Sequence, residues 1–133
     1  MRSGLRIGPA PEEAHAATVV LAMIETPDGL ANVDKICATP GLDGVYVGPS
    51  DLRLAVGGAH TADRSIDAVF DEAVRTVCAT AAAAGVAAGI HTPDGGTAAR
   101  RLAEGYTFAS IASDVIHLEE AARGHLDVAR GEL

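Results

Sequence analysis

Along the chain, short apolar runs alternate with stretches whose apolar residues recur every three or four positions. The first run, residues 18–25, carries Val19, Val20, Leu21, Ala22, Met23 and Ile24 without polar alternation, as in a strand buried on both faces of a parallel sheet. Pro27 then suits the first turn of a helix; Leu30, Val33, Ile36 and Cys37 form one stripe, and Pro40-Gly41 ends it. Residues 42–47 predict a second strand, and Ser50 or Asp51, in the turn after it, is placed to cap a helical stretch. Ser65 is the expected N-cap of a long helix whose apolar face carries Ile66, Val69, Phe70, Ala73, Val74, Val77 and Ala81, with Gly85 as its stop. Residues 86–91 predict a third strand, 97–104 a helix closed by Gly105, 108–112 a fourth strand and 115–129 a final helix. Ahead of these, residues 1–17 are broken by Gly4, Gly8, Pro9 and Pro11 and allow a turn or two of helix over 12–17.

Strand followed by helix, repeated, means parallel βαβ units with right-handed crossovers. A doubly wound sheet and a (β/α) barrel both satisfy that order. Four such units are half of an eight-unit barrel. No linker or low-complexity segment interrupts the pattern, so residues 1–133 are expected to form one domain.

Composition narrows the function. Apolar residues make up 48% of the 133, but aromatics only 3% and Trp is absent, so the core must be built from small side chains. The net charge of −8 argues against nucleic acid, whose phosphates need clustered Lys and Arg, and against an anionic membrane surface. No segment approaches the roughly 18 apolar residues of a membrane span, and the N-terminus lacks the apolar region of a signal peptide. A cytoplasmic protein is expected. Cys37 and Cys78 have no metal-ligand spacing and fall within helical patterns, which makes them buried, reduced thiols. The Gly57-Gly58 and Gly95-Gly96 pairs lack phosphate-loop spacing and are read as flexible loops. Asp63, Asp67, Asp71 and Glu72 are read as a solvated helix face.

The candidate chemistry lies in two carboxylates. Glu25 closes the first strand, and Asp51 follows the second across Gly48-Pro49-Ser50. Strand carboxyl ends are where parallel α/β folds hold ligands, and two acids there suit a divalent cation. The competing structural roles are helix capping by Glu25 or its neighbours Thr26 and Asp28, and an N-cap for Asp51. His91 ends the third strand and points toward the same rim, as a site-lining or a structural residue. Asp114 is read first as a cap of the final helix.

The wording of the sequence carries a resemblance. Met23-Ile24-Glu25-Thr26-Pro27-Asp28-Gly29-Leu30-Ala31-Asn32 and Pro40-Gly41-Leu42-Asp43-Gly44-Val45-Tyr46-Val47-Gly48-Pro49-Ser50-Asp51-Leu52 resemble two signatures of the HpcH/HpaI aldolase family. Ala88-Gly89-Ile90-His91-Thr92, residues 103–108 and Ala112-Ser113-Asp114 match the later part, so the likeness spans roughly residues 18–122. The resemblance implies an α/β fold of the TIM (β/α)8 barrel family, with about four βα units here, strands 5–8. It implies aldol or retro-aldol cleavage of 4-hydroxy-2-oxo acids to pyruvate, or a related 2-oxo acid, plus an aldehyde. It also implies a divalent cation (Mg²⁺, Mn²⁺ or Co²⁺) held by Glu25 and Asp51, which chelates the 2-oxo acid and stabilises the enolate. Gly48, Pro49, Ser50 and Asp51 would receive the substrate carboxylate on converging backbone N–H groups.

The same resemblance puts the family's catalytic His and Arg in an N-terminal half that these 133 residues do not match; Arg2, Arg6 and His15 do not take their places. Residues 1–11 resemble the stretch following the fourth strand. A half-barrel leaves strand edges and an apolar face open, so the expected partner is a second copy or a separate N-terminal half-barrel. Two further functions compatible with these residues are a catalytically incompetent platform that binds metal and 2-oxo acid, and a citrate-lyase-like lyase acting on a CoA thioester.

Overall fold

The computed structural model describes residues 11–132. After a short helix α1 (Pro11–Ala16), strands and helices alternate: β1 (Leu21–Ile24), α2 (Pro27–Ala31), α3 (Val33–Cys37), β2 (Gly44–Val47), α4 (Pro49–Ala55), α5 (Asp67–Ala84), β3 (Ala87–Thr92), α6 (Gly95–Ala103), β4 (Phe108–Ile111) and α7 (Asp114–Arg130). The likeness noted for residues 1–11 falls almost wholly outside the described residues, as do Arg2 and Arg6; His15 is exposed on α1.

All three strand pairings are parallel and the spatial order is β1-β2-β3-β4. That order resolves the ambiguity left by the sequence. A doubly wound sheet reverses direction at a switch point and carries helices on both faces, whereas sequential right-handed crossovers put every helix on the same face. The chain is four consecutive units of a (β/α) barrel.

Burial follows from this. Ile24, Val45, Val47, Ala88, Ile90 and Thr92 point to the helix side and are buried. There they meet Phe70, Ala73, Val74, Val77 and Ala81 of α5, most of the stripe expected from its periodicity; Val69, expected on the same face, lies at its margin and is exposed. Each buried aliphatic side chain of this size contributes about 1.5–3 kcal/mol. Tyr106 joins the same core and satisfies its hydroxyl by donating to the Val74 carbonyl at 2.9 Å; burial pushes its ionisation well above the usual phenol range. Helix α5 ends as expected: Gly85 takes φ 74°, and Val86 N–H reaches back to the Ala81 carbonyl at 3.1 Å. Cys37 and Cys78 are free and buried, with both thiols pushed up chiefly by desolvation.

The opposite, inner face of the sheet has no such cover. Leu21 and Met23 are exposed, and Tyr46 and Phe108 are half-buried and stack with ring centroids 5.8 Å apart. Residues 18–25 were expected as a strand buried on both faces; the strand is only Leu21–Ile24, and only Ile24 is buried. It is an edge strand with one face open. Helix α7 buries none of its residues, and Val115, Leu118, Leu126 and Val128 remain exposed. Among the described residues, no helix is long and apolar enough to cross a membrane.

Several local expectations are corrected. The first helix splits at Asn32, whose Nδ2 donates to the Asp28 carbonyl. Asp63, rather than Ser65, caps the entry to the long helix, which begins with a 3-10 turn over Arg64–Ile66. The acids near it are not a solvated face: Asp63 holds this turn, Asp67 pairs with Arg53 at 2.7 Å and Asp71 with Arg101 at 2.6 Å, leaving Glu72 alone on the exposed side with Arg75. Gly95-Gly96 opens α6 rather than forming a loop, with Asp94 as its cap.

Candidate active site at the strand carboxyl ends

Strand register sets the site. Met23 lies opposite Tyr46, Tyr46 opposite Gly89, and Gly89 opposite Phe108, one row across the inner face. Side chains two residues further along point the same way. Continued one residue past each strand pair, the register brings Glu25 beside Gly48 and Gly48 beside His91, which pairs with Ser110. This second row crowns the carboxyl ends.

Contacts bear the row out. A Cβ placed on Gly48 would come within 2.5 Å of Glu25 Oε2, so the carboxylate occupies the space that any other residue would fill. Glu25 is half-buried and takes no part in capping, because Thr26 caps α2 by accepting from Gly29 N–H at 3.0 Å. Asp51 is exposed in the first turn of α4, where Gly48 is the N-cap residue and no side chain caps. Thr26 thus fills the capping role open to Glu25, and Asp51 lies inside the first turn of α4 and caps nothing. Neither carboxylate has a hydrogen-bond partner among the described residues. At the last strand end, Ser113 caps α7, and among the described residues Asp114 accepts only from the adjacent Val115 N–H.

Does this arrangement fit a divalent ion? Among the described residues, no three His, Cys, Asp or Glu side chains gather into a metal-holding group. A hard cation such as Mg²⁺ nevertheless needs only one or two carboxylates, the remaining positions going to water and substrate oxygens. Two unspent carboxylates on successive strand ends, one seated where a Cβ would be, meet that requirement.

His91 is half-buried and engages Ser110 Oγ through Nδ1 at 2.9 Å, and the same hydroxyl meets Tyr46 Oη. Tyr46 and Ser110 were not singled out from the sequence. Their parity with His91 was visible, but only the register shows that Ser110 sits opposite it. Gly48, Pro49, Ser50 and Asp51 form the turn from β2 into α4. Leu52 N–H is already committed to the Gly48 carbonyl at 2.9 Å, so the earlier amides of that turn are the ones open to an anion.

A strand-end site on a one-sided parallel sheet defines a barrel-type α/β protein, and comparison with known proteins narrows this further. The HpcH/HpaI aldolase/citrate lyase profile matches residues 2–121, and the chain belongs to that family. It is 43% identical over 123 residues to a hydroxypyruvate/pyruvate aldolase of Rhizorhabdus wittichii, covering 92% of this chain and 49% of that protein. It is 42% identical over 96 residues to a 5-keto-4-deoxy-D-glucarate aldolase of Shigella dysenteriae, covering 72% of this chain and 36% of the other. The crystal structure of an HpcH/HpaI aldolase/citrate lyase family protein from Burkholderia cenocepacia superimposes with a TM-score of 0.79 at 32% identity, over 90% of this chain and 45% of that one. The chain thus spans about half the length, or less, of the relatives it matches, in keeping with half of a TIM barrel.

Proposed function

We propose that this chain supplies the substrate platform of a divalent-metal-dependent carbon–carbon lyase. The reaction is cleavage of a 4-hydroxy-2-oxo acid to pyruvate, or a related 2-oxo acid, and an aldehyde. The observation that carries the reading is the seating of Glu25 against Gly48, three residues before Asp51 on the turn into α4, with neither acid hydrogen-bonded to a described residue. A cation held by these two acids would supply Lewis-acid polarisation of the 2-oxo group. The chain's own residues do the rest. Backbone N–H groups at Pro49–Asp51 that the helix leaves free (Pro49 has none) receive the substrate carboxylate, and Ser50 adds a hydroxyl. His91, fixed through Nδ1 by Ser110, presents Nε2 to the rim and orients the bound acid. The family relatives, named as aldolases acting on oxo acids, support the same reaction class.

The test is exchange of pyruvate methyl protons for deuterium, followed by NMR, with and without Mn²⁺. Metal-dependent exchange that disappears in Glu25→Gln supports the lyase. Pyruvate binding without exchange would instead make the chain a binding platform. If calorimetry detects no divalent-ion binding, the platform itself is wrong.

A further inference from the structure

A second concavity lies on the other side of β3. It has a volume of about 540 Å³ and opens between α4, the start of α5, and α6. Phe70 and Ile90, both buried on the helix side, line its apolar part. It meets the carboxylate site at the rim, through Pro49, Ser50 and His91. Crevices outside strand carboxyl ends are the usual ligand positions of α/β sheets.

The lining charge is unlike the rest of the molecule. The chain has only 10 Lys and Arg against 18 acids, yet Arg53, Arg64, Arg100 and Arg101 all line this cavity. Their described acidic partners are Asp67, Asp71 and Glu104, three carboxylates for four guanidiniums. Arg101 is committed: it is buried, and its Nη atoms donate to Glu104 at 2.8 Å and Asp71 at 2.6 Å. Burial opposes its charge, but these hydrogen bonds prevail and hold it protonated.

Arg53 is different. It lies over the Phe70 ring, 4.2 Å from the centroid, and directs Nη1 alone at Asp67 and the Asp63 carbonyl. Its Nε and Nη2 donate to no described residue. Since no buried side-chain nitrogen or oxygen among the described residues lacks a partner, those donors keep exposed surface, on a side chain that lines the cavity. Arg100 has no ion pair among the described residues. Among the described residues, Arg64 reaches only Asp67, at 3.6 Å, an acid already held by Arg53. A guanidinium pinned on one edge by an acid and on one face by a ring presents its remaining N–H groups in fixed directions. That geometry suits a planar or tetrahedral oxyanion.

We propose that this cavity is an anion-binding site, taking the carboxylate or phosphate of a small organic molecule between Arg53 and Arg100, with Arg64 at its mouth. The anion comes either from the far end of a substrate bound at Glu25 and Asp51 or from a separate molecule. The site itself does not depend on the lyase reading.

The experiment is calorimetric titration of the whole chain with inorganic phosphate at low salt. Arg100→Gln and Arg64→Gln change exposed side chains, so both variants keep the wild-type circular dichroism melt. Each weakens phosphate binding by about tenfold to a hundredfold, the loss of one charge-assisted hydrogen bond. Arg75→Gln, outside the cavity, and Glu25→Gln leave binding unchanged. Absence of phosphate binding, an equal loss in Arg75→Gln, or abolition by Glu25→Gln would each overturn the proposal. Competition with Mn²⁺ present then separates the sources. Displacement of phosphate by 2-oxoglutarate but not pyruvate identifies a substrate tail; displacement by neither identifies a separate ligand. Displacement by pyruvate as well would place the anion at the carboxylate site and refute the second one.

Discussion

Adding one methyl group at Gly48 tests the candidate metal seat without touching either carboxylate. The backbone there, φ −88° and ψ 94°, is ordinary extended conformation, so alanine brings no backbone strain. The obstacle is space: the new Cβ would lie 2.5 Å from Glu25 Oε2 and 3.3 Å from Met23 Cε. Ordinary van der Waals separation is about 3.5 Å, so the carboxylate must retreat by about 1 Å. Because the displaced atom is the end of a flexible side chain, the fold gives way easily. Gly→Ala at a compatible site even gains about 0.4–1 kcal/mol through the unfolded chain. Stability and ion binding should therefore part company. Gly48→Ala should melt within a few degrees of wild type, while its affinity for Mn²⁺ falls about 10- to 100-fold, the usual loss when a ligand's support is removed. Paired calorimetry and thermal denaturation read the two effects. A folded variant that binds Mn²⁺ as tightly as wild type would show that the Glu25 seat is not the metal seat.

Other parts of the structure predict their own outcomes. Gly89→Ala would drive a Cβ into the Phe108 ring, which overlaps that position at three carbons, and should destabilise the chain by about 1–3 kcal/mol in urea unfolding; unchanged stability would mean that the ring moves freely. Asp63 is held at about 2, below its usual 3.8, first by the Ser65 hydroxyl and then by the N–H groups of Ala59 and Ser65. A depressed carboxylate stabilises the fold above its unfolded value and loses that contribution as pH falls through the folded one. The stability gap between wild type and Asp63→Ala should thus be constant above about pH 5 and close toward pH 2; a gap insensitive to pH would refute the cap. Finally, the open inner face and unpartnered α7 should make the chain self-associate, which sedimentation velocity would show as a mass of at least two chains; a monodisperse monomer removes that expectation.

What the sequence revealed and what it hid divide by the distance over which each feature is decided. Helix α5 and its Gly85 stop were legible because their determinants lie within a few residues of one another. The positions of Glu25 and Asp51 after the first two strands were legible for the same reason, since each follows its strand in one contiguous stretch. The acids of the long helix were misread for the opposite reason. Asp67 and Asp71 look like surface charges until Arg53 and Arg101, 14 and 30 residues away, are brought to them by the fold. Strand β1 was overextended because an apolar run carries no mark of which face a neighbour will cover.

The row Glu25, Gly48, His91 and Ser110 depends on register, which pairs residues from four separate strand–helix units and which no local pattern encodes. Shifting one strand by a single residue would turn its member of that row to the helix side. The requirement for glycine at position 48 follows from the same register, since only a residue without a side chain leaves room there for the Glu25 carboxylate. The motif and the site are therefore one constraint seen twice. Gly48-Pro49-Ser50-Asp51 supplies an acid and a turn from one strand, and its glycine makes room for the acid of the strand beside it. A replacement at Gly48 should consequently change ion binding through a residue 23 positions away in the chain, an effect that a purely structural glycine would not produce.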